Sequence, residues 1–135
     1  MPVRSRPLTL CIAFVAGMLG TAVAEAQDGF PYGREFRLDV KPMRGSKRIP
    51  GLDIGDNGDA TIDLWCASVQ AKLVVAADTI TIITSPPPET QCQAERARGD
   101  EELLAALNEV TNWRMQGDFL VLTGGKGLRF RLNTN

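Results

Sequence analysis

The sequence predicts a mainly β (α+β) domain: a small antiparallel β-barrel-like fold of about eight strands with one helix and one disulfide. Three observations carry the prediction. Short segments with apolar residues at every second position recur along the chain, separated by Gly, Pro, Asn and Asp. One stretch, at residues 101–110, changes to helical spacing. Two cysteines, Cys66 and Cys92, remain once an export segment is set aside, and paired thiols are the rule in an oxidising compartment. Closing short strands into a barrel removes the exposed edges that an open sheet would leave.

The export segment comes first. Arg4 and Arg6 precede an apolar run from Leu8 to Leu19, and Ala24-Glu25-Ala26 supplies a small-residue cleavage site. The run is shorter than the ~20 apolar residues that span a bilayer. Residues 1–26 therefore read as a cleaved signal peptide, and residues 27–135 as a single domain. No transmembrane span is expected in the mature chain. Cys11 lies inside the run rather than at the cleavage point, which argues against lipidation. The expected location is the bacterial periplasm or the medium outside the cell.

The strands follow in order. Phe36, Leu38 and Val40 share one face of the first, with Arg37, Asp39 and Lys41 on the other. Leu52 and Ile54 begin the second. Asp56-Asn57-Gly58-Asp59 predicts a hairpin with a type I′ turn, since Asn-Gly accepts positive φ. Ile62, Leu64 and Cys66 form the inward face of the return strand, and Val69, Ala71, Leu73 and Val75 continue the alternation. Asp78–Thr84 is rich in β-branched residues and predicts a strand buried on much of both faces. Pro86-Pro87-Pro88 ends it, because proline donates no ladder hydrogen bond.

Asp100 is the predicted N-cap of the helix, with Glu101 and Glu102 at its positive end. Leu103, Leu104, Leu107 and Val110 form its apolar stripe. Trp113–Gln116 and Phe119–Leu122 then predict strands around a Gly117-Asp118 turn. The last strand alternates Leu128, Phe130 and Leu132 with Arg129 and Arg131, after the turn Gly124-Gly125-Lys126-Gly127.

Cysteine pairing carries much of the expected stability. A Cys66–Cys92 link would contribute roughly 3–4 kcal/mol in the chain-entropy model, a large share of a small domain's ~5–15 kcal/mol. The two are too far apart in sequence for a Cys-x-x-Cys redox pair.

Composition excludes several functions. The 135-residue chain has no histidine, so neither a Ser–His nor a Cys–His dyad is available, and a zinc site lacks its usual ligand. Removing Arg4, Arg6 and Glu25 from 15 basic and 16 acidic residues leaves thirteen and fifteen, a net charge near −2. That balance argues against a dedicated nucleic-acid binder. Residues 53–64 resemble a calcium loop only faintly, because Gly55 and Leu64 stand where ligands belong. The Gly124–Gly127 run lacks the phosphate-loop spacing. Asp59 with Asp63, or Glu101 with Glu102, reads as solvated surface charge. No catalytic residue, metal or cofactor is expected, and the protein is not expected to be an enzyme.

Residues Trp65 to Leu132 resemble the META domain, the HslJ-like family of small exported bacterial proteins. Trp65-Cys66-Ala67 stands at the family's Gly-Cys-Asn-like strand end, and Thr90-Gln91-Cys92 at its Thr-x-x-x-Cys-like element. The helix is matched by Glu102-Leu103-Leu104-Ala105-Ala106-Leu107, and the final hairpin by Gly117-Asp118-Phe119-Leu120-Val121-Leu122 with Leu128-Arg129-Phe130. Trp65 and Ala67 depart from the family's glycine and asparagine, and the Thr–Cys spacing is shorter, as in a divergent member. The resemblance implies a β-barrel crossed by a helix, with no known catalysis. It also implies a loose link to stress tolerance, antibiotic tolerance and secretion.

Two features point to a partner surface. Arg44, Lys47 and Arg48 lie in a loop bounded by Pro42 and Pro50. Trp65 shares a strand face with Thr61 and Asp63, opposite the predicted core. It is expected either to mark a binding surface or, by the stronger reading, to be covered by the helix or the N-terminal segment. The expected role is therefore binding or envelope maintenance, as a monomer, with an unknown protein or envelope partner. An alternative is a secreted protease inhibitor that inserts residues 27–33. Carriage of an apolar ligand inside the barrel ranks third, because eight strands enclose only enough space for their own side chains.

Overall fold

Apolar residues at alternate positions bury one face of each strand, and that rule builds this molecule. The structure, a computed structural model, describes residues 29–135. The signal peptide expected at residues 1–26, with Gln27 and Asp28, lies outside the described residues. Eight strands form a closed antiparallel barrel in chain order: β1 (Glu35–Leu38), β2 (Gly51–Ile54), β3 (Asp59–Asp63), β4 (Ser68–Ala76), β5 (Thr79–Thr84), β6 (Asn112–Gln116), β7 (Phe119–Thr123) and β8 (Leu128–Leu132). One helix, α1 (Ala94–Asn108), connects β5 to β6. Closure comes from β1 pairing with β8, Arg37 opposite Arg131.

Side chains fill the interior. Phe36, Leu52, Ile54, Ile62, Leu120, Leu122 and Phe130 are essentially inaccessible to solvent. Eight strands enclose about the space that such inward side chains occupy. The strands form two ends. At one lie the β2–β3 loop, the β4–β5 and β6–β7 turns and the N-terminal segment. At the other lie the β1–β2 loop, the β3–β4 connector, α1 and the β7–β8 loop.

The β5–β6 seam is the thinnest, with the single register pair Thr79–Asn112. The upper part of β5 is left without a strand on that side, and α1 packs along it. Leu103, Leu104 and Leu107 bury the helix stripe in the common core. At the opposite end Phe30 is buried and meets Trp113 edge-on, with ring centroids 5.1 Å apart. Trp113 donates from Nε1 to Ala77 O at 2.8 Å, fixing the β4–β5 turn.

Several expectations are corrected. The helix starts at Ala94, not near Glu101, and its N-cap Gln93 makes no side-chain capping bond. The residues Ala94-Glu95-Arg96-Ala97-Arg98 are good helix formers, and they carry the helix through Gly99. Asp100 is thus an interior helical residue, buried rather than capping. The return strand β3 ends at Asp63, and Leu64 N–H donates to Ala67 O at 2.8 Å. The chain bends there, so Ala67 enters the core while Cys66 is half-buried outside it. β5 buries Ile80 and Ile82 only; Ile83 is 56% exposed, because the barrel covers one face of each strand. Val40, though in phase with Phe36 and Leu38, is exposed because β1 ends at Leu38 and the chain turns there, Val40 N–H donating to Leu38 O at 2.9 Å.

The β2–β3 turn is not type I′. Gly58 is left-handed at φ +91° while Asn57 is not, and Gly55 N–H donates to Asp59 O at 2.7 Å. A longer loop closed by a left-handed glycine results. Gly58 also faces β4 so closely that a Cβ would stand 2.7 Å from Leu73 O. The turn Ala77-Asp78 carries no glycine, yet Ala77 adopts φ +54°.

Candidate functional site

The helix end of the barrel gathers most of the residues that the sequence singled out. Its centre is the four-residue connector Leu64–Ala67 between β3 and β4. Such a bend leaves backbone groups without ladder partners, and each needs another. Asp100 meets two of them: one carboxylate oxygen accepts from Cys66 N–H at 3.1 Å, the other from Ala67 N–H at 2.9 Å. Arg48 meets a third, donating from Nε to Leu64 O at 2.8 Å, and its Nη2 is a second donor, at 3.2 Å, to Ala67 O, which already accepts from Leu64 N–H. Arg48 Nη2 also reaches Ser68 Oγ at 3.2 Å and Asp63 Oδ1 at 3.8 Å. The Cys66–Cys92 disulfide ties the connector to the segment before α1, with Cα atoms 6.2 Å apart.

Trp65 projects from this braced connector. It is half-buried and packs against the core on the α1 side. Gly99 makes the approach possible: a Cβ there would stand 2.7 Å from Trp65 Cδ1 and 2.5 Å from Met43 Cε. Trp65 and Met43 therefore crowd one point on the helix, and any larger residue would displace them. Met43 in turn holds the β1–β2 loop down, helped by Arg96 Nη2 donating to Gly45 O at 3.4 Å. The helix covers one side of Trp65, as the packing reading expected.

The basic loop divides. Arg44 and Lys47 are exposed on its outer side. Arg48 is exposed as well, but its guanidinium turns onto the connector and acts as a clamp. Beside the loop runs an open groove of about 410 Å³. Val40, Met43, Trp65, Leu103 and Leu128 give it apolar walls; Asp39, Glu102, Lys126 and Arg129 stand at its rim. Among the described residues, no group of three or more His, Cys, Asp or Glu side chains is placed to hold a metal ion. The acidic pairs do not converge: Asp59 meets Lys72 at 3.5 Å, whereas Asp63 is engaged by Arg48 and Ser68 at the far end of β3.

The sequence reading missed Met43 and took Gly99 and Asp100 only as a helix start, not as residues that pack against and brace the connector. A short polar pair Gly-Asp before an apolar stripe signals a helix start. Only the contacts of Asp100 with a connector 33 residues away reveal its other role.

Comparison with known proteins agrees with this architecture. The family model of the META domain matches residues 34–134, extending the resemblance back through the first strand. No curated protein matches the chain. Three solved structures share the fold. An NMR structure from Burkholderia xenovorans is 14% identical, covering 77% of this chain and 84% of its own, with a TM-score of 0.63. A second NMR structure is 13% identical over 74% and 89% of the two chains, with a TM-score of 0.59. A crystal structure of a DUF4847 family protein from Bacteroides vulgatus is 16% identical over 64% and 60%, with a TM-score of 0.51.

Proposed function

The chain belongs to the META domain family, and from that premise we propose that it is an exported, non-enzymatic binding protein of the bacterial cell envelope. Its partner is a protein or another envelope component. The surface offered is the helix end of the barrel: the groove beside Trp65 and the loop carrying Arg44 and Lys47, with Arg48 holding the connector beneath them. A role in envelope maintenance or stress fits such a module.

The observation that carries this reading is the bracing of the connector. One buried carboxylate, one guanidinium and one disulfide converge on four residues whose outward product is a single tryptophan. Rigid presentation of an aromatic side chain lowers the ordering cost of binding. The filled barrel interior directs attention to the outer surface. The disulfide supports an oxidising compartment, in keeping with a signal peptide at residues 1–26. The inhibitor alternative loses support from Phe30, whose ring is buried against Trp113 rather than held out in a free arm.

The test is a pulldown from bacterial envelope extract with the mature protein and an Arg44→Glu/Lys47→Glu variant. A partner retained by the first and lost by the second is the expected result. Equal recovery by both removes the loop from the site. Intact mass of the exported protein checks processing, with Gln27 as the expected first residue.

A further inference from the structure

A balanced net charge conceals a segregated one. Strand register places the outward residues of β6, β7, β8 and β1 in two rows. The first runs Arg114–Val121–Arg129, and the second Gln116–Phe119–Arg131–Arg37. Four arginines thus surround two half-buried apolar side chains on one face of the barrel. The outer face of the neighbouring strands β2 and β3 carries Asp53, Asp59 and Asp63 instead.

The arginine face is short of counter-charge. Asp39, at one border, pairs with Arg129 at 3.7 Å. Asp118 stands at the other border, in the β6–β7 turn beside Arg131, and Glu35, the other outward residue of β1, lies two positions from Arg37 with its Oε1 accepting from Asn133 Nδ2 at 2.9 Å. None of the ion pairs among the described residues involves Arg37, Arg114 or Arg131. Arg37 and Arg131 are direct cross-strand neighbours, an arrangement that like charges ordinarily disfavour. Arg129 is held ready, its guanidinium 3.6 Å from the centroid of the Phe119 ring and tied to Asp39.

We infer that this face docks an acidic polypeptide segment of a partner protein. Charge complementarity selects the sign. The guanidinium fork selects carboxylates, which it binds with two parallel hydrogen bonds. Strands β7, β8 and β1 of this face are each paired on both sides, so across them a partner must be held through side chains. A bilayer is the poorer fit: the one aromatic ring on the face is capped by Arg129, and no apolar side chain is free to insert. This face meets the groove of the proposed function at Arg129 and Asp39, so its test is placed at Arg114 and Arg131, which lie outside that groove.

The experiment uses a fluorescein-labelled oligoglutamate peptide, an oligoglutamine control and vesicles of phosphatidylglycerol. Anisotropy is read on the mature protein and on the Arg114→Glu, Arg131→Glu and Arg44→Glu/Lys47→Glu variants, each checked for native circular dichroism. The native protein is expected to bind oligoglutamate and not oligoglutamine. Affinity should weaken several-fold between about 50 and about 200 mM salt. Each of the two face variants should weaken it about tenfold or more, and the loop variant less than about twofold. Undiminished binding by both face variants overturns the inference. So does absence of oligoglutamate binding, or binding to vesicles alone.

Discussion

Replacing Asp100 separates two physical roles that one residue might play. In the structure its carboxylate accepts from the buried N–H of Ala67 at 2.9 Å and the half-buried N–H of Cys66 at 3.1 Å. Hydrogen bonds to a charged group contribute about 1.5–3 kcal/mol each when net of solvent. Water can reach Cys66 after truncation, so its share falls to about 1 kcal/mol, while Ala67 N–H would be left buried and unpaired. Asp100→Ala should therefore cost roughly 3 kcal/mol. In a domain of about this size that lowers Tm by about 10–20 °C. The assay is thermal and urea unfolding of the oxidised protein, followed by circular dichroism. Glu101→Ala, on the exposed side of the same turn, is the control and should change stability by under about 0.5 kcal/mol. Asp100→Ser and Asp100→Asn discriminate further. At an N-cap these residues are nearly equivalent to Asp. In the observed site serine is too short, and asparagine turns an NH₂ toward one of the donors. Each should cost about 2 kcal/mol. Serine and asparagine variants as stable as the native protein would refute the bracing role and restore the capping one.

Four further outcomes are expected. Ala77→Gly should raise stability by about 0.5–1 kcal/mol, because glycine accepts φ +54° without strain and forfeits part of that gain in unfolded-chain entropy; a lower Tm would contradict it. Gly99→Ala should destabilise by about 1–3 kcal/mol as its Cβ meets Trp65 and Met43, and tryptophan emission should shift to the red as the indole is lifted from the helix. Phe30→Ala should cost about 3–4 kcal/mol in urea unfolding; a loss under about 1 kcal/mol would return the N-terminal segment to the role of a free arm. Converting Cys66 and Cys92 to serine should cost about 3–4 kcal/mol, and a titration that finds two free thiols in the native oxidised protein would remove the disulfide.

Legibility in the sequence followed the range of the interaction. Strands whose inward residues alternate, such as Leu52 and Ile54 or Leu128 and Phe130, were readable because period two and one-sided burial are local properties. β5 misled for the same reason: Ile80, Ile82 and Ile83 look equally buried until the barrel assigns only one face to the core. The helix start was misplaced because Gly99 carries a local signal of a boundary, while its real constraint is the indole of a residue on another element. Of the predicted partner surface, Arg44 and Lys47 remain exposed, whereas Arg48 is committed to the β3–β4 connector. The arginine face on β6–β8 and β1 was present in the sequence as scattered residues. Only the register made them neighbours.

The sequence by itself determined a β-rich barrel with one helix and one cross-link, since alternation, turn residues and cysteine count act over a few positions or by number alone. Tertiary structure decided which carboxylate braces which backbone, where Trp65 rests and how charge is distributed around the barrel. These depend on atoms dozens of residues apart being brought within hydrogen-bonding or van der Waals distance, and closing the barrel sets those distances.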